Sequence, residues 1–153
     1  ASNVADYHRA IGKKVIFNRQ WSDSYPAQKE LTLTNGVRGS LSYGDKQWLG
    51  YLEDFDVTID MESVQPISSV SVKFMHQPGP GVFLPGYVEL QFSNDGTNFT
   101  AVQKQTHDFN PENKELGFKT FEFSCSNQQA RYIRLIGPNM MKGFMFVDEI
   151  VVY

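Results

Sequence analysis

From residue 54 onward the chain is written in short alternations of apolar and polar residues broken by turn formers, and that period of two constrains the fold more than any other feature. In Phe55-Asp56-Val57-Thr58-Ile59-Asp60-Met61 the odd positions are apolar and the even ones polar, as in a strand with one buried face. Val70-Ser71-Val72-Lys73-Phe74 and Tyr87-Val88-Glu89-Leu90-Gln91-Phe92 repeat the pattern. Asn94-Asp95-Gly96-Thr97 supplies a turn, because Asp tolerates the left-handed region and Gly enters it without a Cβ clash. It joins 87–93 to 99–105 as a hairpin. The reading predicts strands over residues 13–18, 54–61, 67–77, 87–94, 99–105, 119–124, 130–137 and 144–153. No segment sustains a 3.6-residue apolar period, so helices are expected to be few. Many short strands with turn punctuation give an all-β class, an antiparallel sandwich or barrel.

The connections are unequal. Segments 18–30, 43–53, 78–86, 106–118 and 138–143 are long, whereas 62–66, 95–98 and 125–129 are short. Antiparallel tracing from Asp54 puts the later long loops at one pole and the short turns at the other, and recognition concentrates on such loops.

A chain of 153 residues with 41% hydrophobic and 14% aromatic content suits one domain with one core. Residues 1–11 read as a tail or linker and 12–153 as the domain, and a chain opening on Ala1 reads as an excised domain or processed chain, expected to be a monomeric part of a larger protein. The net charge of −3 and scattered Lys and Arg argue against nucleic acid as a partner. Cys125 stands alone, so no disulfide forms within the chain.

Catalysis finds little support. Glycoside hydrolysis usually needs two carboxylates about 5 to 10 Å apart, one of raised pKa. Glu53, Asp54 and Asp56 cluster in sequence, but Asp54, Asp56 and Asp60 alternate along one strand face, as on a solvated surface. His8, His76 and His107 lack metal-ligand spacing, and neither a Gly-x-Ser-x-Gly elbow nor a phosphate-binding glycine loop occurs. The chain is therefore read as not an enzyme.

Four pieces in order carry a resemblance: Leu33-Thr34-Asn35-Gly36-Val37-Arg38-Gly39-Ser40; Trp48; Tyr87-Val88-Glu89-Leu90-Gln91-Phe92-Ser93-Asn94-Asp95-Gly96-Thr97-Asn98-Phe99; and Ala130-Arg131-Tyr132-Ile133-Arg134-Leu135 followed by Asp148-Glu149-Ile150-Val151-Val152-Tyr153. Together they resemble the F5/8 type C, or discoidin-like, domain across residues 12–153. Phe83-Leu84-Pro85 and Phe146-Val147-Asp148-Glu149-Ile150 are most similar to the family 32 type carbohydrate-binding modules of bacterial β-N-acetylhexosaminidases, or chitobiases. The resemblance implies a jelly-roll-like, galactose-binding-domain-like β-sandwich. It also implies a noncatalytic module tethering a glycan-degrading or glycan-capturing protein to galactose- or N-acetylhexosamine-containing glycans, outside the cytoplasm (secreted, periplasmic or cell-surface). The same sandwich also serves adhesion, which leaves open a protein or membrane surface met by the loop end; a membrane is the less expected partner.

The family's structural calcium implies ligands here from Leu33 and Arg38 carbonyls, the side chains of Asn35 and Ser40, and Glu149, all oxygen donors as a hard cation requires. Family members commonly carry Asp where this chain has Asn35, and the swap removes one negative charge. Asn35-Gly36 equally reads as a plain tight turn and Glu149 as an ordinary strand residue.

A sugar site combines an aromatic platform with a few fixed polar groups. The long loops offer Trp21 and Tyr25, then Tyr43, Trp48 and Tyr51, then His76 and Phe83, then Asn139, Met141 and Phe144. Trp48, His76, Phe83, Trp21, Tyr43, Asn139 and Met141 are the candidates. Trp48 equally reads as a loop brace, and His76 as a solvated strand end. Related modules often have Trp at the position matching Gly81; here His76-Gln77-Pro78-Gly79-Pro80-Gly81-Val82-Phe83 substitutes two prolines and two glycines, leaving Phe83 or another loop's aromatic to stack.

Overall fold

The computed structural model describes residues 7–153. Its elements are strands β1 (Lys14–Phe17), β2 (Leu49–Tyr51), β3 (Phe55–His76), β4 (Val88–Ser93), β5 (Thr100–Gln105), β6 (Gly117–Gly137) and β7 (Met145–Val152), with one 3-10 helix at Lys29–Thr34. All pairings between these strands are antiparallel, in the order β2-β7-β3-β6-β4-β5, and β1 adds to β3.

Two long strands make this ladder a two-layered sandwich. The first half of β3 pairs with β1 and with the end of β6, from Phe55 opposite Gly137 to Asp60 opposite Tyr132. Its second half pairs with the start of β6, from Ser69 opposite Ser124 to His76 opposite Gly117, and with β7. Both strands therefore pass from one layer to the other. Residues 62–66 and 125–129, expected to be turns between separate strands, are instead corners within single strands. Backbone pairing continues through them, with Gln65 opposite Ala130 and Ile67 opposite Gln128, and the register shifts on either side. Glu62 at φ 77° and Asn127 at φ 65° absorb the bend.

The alternation seen in sequence sorts the side chains. Phe55, Val57, Ile59 and Met61 of β3 are buried together with Val70, Val72 and Phe74, Val88 and Leu90 of β4, Phe121 and Phe123 of β6, and Val147 and Ile150 of β7. On the outward side, Asp56 accepts a two-pronged guanidinium bond from Arg134 (2.9 and 2.7 Å) and Asp60 one from Arg131 (3.0 and 3.1 Å). These carboxylates are consumed in cross-strand pairs, which fits a structural face.

The chain start is partly docked. Arg9 N–H donates to the Val152 carbonyl (2.9 Å), Ala10 is fully buried, and the Arg9 guanidinium reaches Pro66 O (2.6 Å) and Gln65. The end of the expected tail thus joins the sandwich edge; its residues 1–6 lie outside the described residues.

Candidate functional site

The later long loops gather at one pole. Phe83 N–H donates to Phe144 O (2.8 Å), Phe144 N–H to Gly81 O (2.9 Å) and Gly86 N–H to Pro138 O (3.1 Å), which stitches loop 77–87 to loop 138–144. Beside this seam lies a cavity of about 150 Å³ walled by His76, Phe83, His107 and Phe109, with Met140 and Met141 on its rim. The rim is exposed, Met140 at 60% and Met141 at 44%. Gly86 lets the Met140 side chain lie close, since a Cβ there would sit 2.3 Å from its sulfur and push the exposed methionine aside.

The polar groups of this cavity are two imidazoles. His76 ends β3, packs edge-on to Phe109 at 5.2 Å, and has no hydrogen-bond partner among the described residues. Burial holds it below the usual histidine range, and His107 nearby pushes the same way, so it is neutral at pH 7. A neutral imidazole offers one donor and one acceptor. His107 is more committed: its Nδ1 accepts from Phe109 N–H (3.0 Å). Burial lowers its pKa too, against an opposing pull from the Pro85 carbonyl. Apolar walls around a few polar groups are the general make-up of a small-ligand site.

Of the residues anticipated from sequence, His76, Phe83 and Met141 come together here. Asn139 does not offer its amide: Nδ2 donates to Leu52 O (3.1 Å) and Gly143 O (2.8 Å), and Oδ1 accepts from Lys142 N–H (3.0 Å). It holds the last loop in shape, helped by Asp54, which accepts from Asn139 N–H at 2.8 Å. Trp21 meets Phe17 edge-on at 4.8 Å and packs against the core. Trp48 is 1% exposed, stacks on Phe118 at 5.7 Å, and donates from Nε1 to Ser40 O at 2.9 Å. Gly39 lets that ring in, since a Cβ would lie 2.2 Å from it. Trp48 is therefore the brace of its loop, the second of the two roles its residue type allowed. Tyr43 lines a separate hollow with Tyr25. His107, Phe109 and Met140 were not among the sugar-site candidates; a histidine two residues from an aromatic in a long loop was the available signal for the first two.

The segment 33–40 is tied to β7 by side chains. Gly36 N–H donates to Glu149 Oε2 (2.8 Å), which also meets His8 Nε2 (2.7 Å), and Gly39 N–H donates to Asp148 Oδ2 (3.0 Å). Burial raises the pKa of both carboxyls. Glu149 Oε1 is buried and has no hydrogen-bond partner among the described residues. Asn35 Oδ1 accepts from Val37 N–H (2.9 Å), and Ser40 Oγ accepts from Ser42 N–H (3.2 Å). Among the described residues no group of three or more His, Cys, Asp or Glu is placed to hold a metal.

Fold and site define a β-sandwich domain with a recessed pocket among the loops of one pole. The chain belongs to the F5/8 type C domain family, whose model matches residues 17–150. Among solved structures, it is similar to chitosan-binding module 1 of a chitosanase/glucanase from Paenibacillus sp. IK-5 (17% identity, 96% of this chain and 98% of that one, TM-score 0.65). It is also similar to CpGH89CBM32-6 of Clostridium perfringens (18%, 96% and 98%, 0.56) and to CpGH89CBM32-4 of the same organism, solved with glcNAc-alpha-1,4-galactose (14%, 100% and 96%, 0.60). At these identities the likeness is one of fold. No curated protein matches the chain.

Proposed function

We propose that this domain is a noncatalytic carbohydrate-binding module that holds a larger glycan-active or glycan-capturing protein on glycans ending in galactose or an N-acetylhexosamine, outside the cytoplasm. The observation that carries the reading is the loop-pole cavity, where the unpartnered neutral imidazole of His76 faces a space walled by Phe83 and Phe109. The rings suit the apolar face of a pyranose and the imidazole suits its hydroxyls. Structural neighbours bearing the names of chitosan-binding and GlcNAc-galactose-bound modules support the ligand class. A cavity this small offers few contacts against the entropy cost of association, so dissociation constants near ~1 mM, about −4 kcal/mol, are expected for single sugars. Linkage within a multivalent parent raises the working affinity.

The test is a glycan array with the isolated domain, repeated with His76→Ala. Selective binding that the variant loses while remaining folded supports the reading; silence of the folded wild type refutes it. The exposed Met140 and Met141 favour a second reading, adhesion to a protein or lipid surface, which co-sedimentation with anionic and zwitterionic vesicles separates, since a sugar module stays in the supernatant.

A structural calcium belongs to the same proposal, held by the Leu33 and Arg38 carbonyls, Asn35, Ser40 and Glu149. The buried, unpartnered Glu149 Oε1 supports it, because such an oxygen is costly unless a cation or donor meets it. Calcium would supply positive charge to Glu149 and join β7 to the 33–40 loop. The domain should melt higher in calcium than in EDTA, and Glu149→Gln should remove the difference; equal melting of the wild type in both rules calcium out.

A further inference from the structure

A second hollow, of about 400 Å³, opens between the first two long loops and is larger than the cavity of the proposed sugar site. Tyr25, Tyr43 and the buried Trp48 supply its aromatic lining, the two tyrosine rings 5.7 Å apart and nearly perpendicular. Both are only half-buried, and each leans on the core, Tyr43 stacking on Phe146 at 5.1 Å and Tyr25 meeting it edge-on at 4.8 Å. Ser24 and Lys46 add polar groups at the mouth. The Lys46 side chain is exposed and has no acidic partner among the described residues.

Two further observations single the hollow out. Six non-glycine residues of the described chain sit in the left-handed region, and two of them, Ala27 (φ 44°) and Lys46 (φ 66°), line this space. Backbone held in sparsely populated conformations gathers where a binding surface has to be shaped. The hollow is also linked to the wall of the first cavity, with which it shares no lining residue. Tyr25 meets Phe144 at 5.2 Å, and Phe144 is bonded through its backbone to Phe83, a wall of that cavity. Tyr43, Tyr25 and Phe144 thus form a run of touching rings, and a backbone bond joins its end to Phe83.

We infer that the Tyr25–Tyr43 hollow is a second subsite, which takes a further pyranose of the glycan whose terminal sugar occupies the His76 cavity. The domain then recognises an oligosaccharide rather than a lone sugar. This rests on the glycan-binding reading. A cavity of about 150 Å³ lies below the 300–1,000 Å³ usual for small-molecule sites, and the Phe144–Tyr25–Tyr43 rings lie between its Phe83 wall and the larger hollow. Tyrosines suit the role because their rings stack on sugar faces while their hydroxyls stay wet.

Calorimetric titration compares galactose, N-acetylglucosamine and N-acetylgalactosamine with the di- to tetrasaccharides of galactose and N-acetylglucosamine. Affinity is expected to rise about tenfold or more from one sugar to three. Tyr43→Ala should remove that gain and leave monosaccharide binding in place. Because Tyr43 also packs on Phe146, Gly44→Phe serves as the second variant. Gly44 lines the hollow, and a Cβ there meets nothing nearer than Ser42 Oγ at 3.7 Å, so the new ring enters without backbone conflict and blocks the space. Monosaccharide binding with equal affinity at every length, or a length gain that survives Gly44→Phe, overturns the second subsite and leaves the module reading standing. Absence of binding to every saccharide overturns both.

Discussion

Replacing Trp48 by alanine separates a packing role from a ligand role at the one residue type that most invites the second. The ring is 1% exposed, lies over Phe118, receives the Lys73 ammonium at 5.6 Å from its centroid, and bonds the Ser40 carbonyl. A buried tryptophan removes roughly 150–250 Å² from water. At ~25 cal/mol per Å² that is worth ~4–6 kcal/mol, less the part alanine retains. Large-to-small replacements of Phe or Trp in cores cost ~3–5 kcal/mol. A loss of ~4 kcal/mol is expected, a large share of the ~5–15 kcal/mol of a typical domain. With a urea slope of ~2 kcal/mol/M the unfolding midpoint should fall by ~2 M, read by circular dichroism or by the fluorescence of Trp21, the other tryptophan. A midpoint that moves by less than ~0.5 M while glycan binding disappears would refute the packing account and return Trp48 to the sugar site.

Gly39→Ala should act on the same ring from the other side: its Cβ would sit 2.2 Å from Trp48, and overpacking of this kind costs ~1–3 kcal/mol, measured by the same denaturation. Asn139→Ala removes three side-chain hydrogen bonds from the last loop, so a cost of ~2 kcal/mol and faster amide exchange at 138–144 are expected. Acid should destabilise the domain through its histidines. Burial depresses the pKa of His76 and His107, so below about pH 6.5 the unfolded chain takes up protons that the folded one refuses, and stability falls until the folded-state pKa is passed. In His76→Gln the slope of stability against pH over this range should be shallower, as thermal melts at pH 5, 6 and 7.5 would show.

Where alternation persisted over several residues, as in Phe55–Met61 and Tyr87–Phe92, sequence and structure agree, because one buried face is a sufficient cause of both. The corners at 62–66 and 125–129 carry the same polar, turn-like residues whether the chain reverses or bends, and only pairing across to the partner strand distinguishes the two. Strand β2, three residues inside a long loop, is too short to show a period. The 3-10 helix has no side-chain cap at Gln28, so it left no boundary signal. In the site, residue type suggested aromatic and amide candidates but not their direction. Trp48 turned inward because Gly39 makes room for it, and Asn139 was spent on its own loop. His107 and Phe109 join His76 only through the folding of loop 106–116 over the strand end, a long-range event that no local pattern records.

Methyl NMR of the five methionines during titration with a trisaccharide that contains N-acetyllactosamine tests the central claim most directly. Met140 and Met141 rim the proposed cavity, whereas Met61, Met75 and Met145 are buried at 1% exposure or less. Saturable shifts confined to Met140 and Met141, absent in His76→Ala, are the expected result. A saccharide that binds without moving either signal, or that moves them equally in the variant, would contradict a sugar site at this pole.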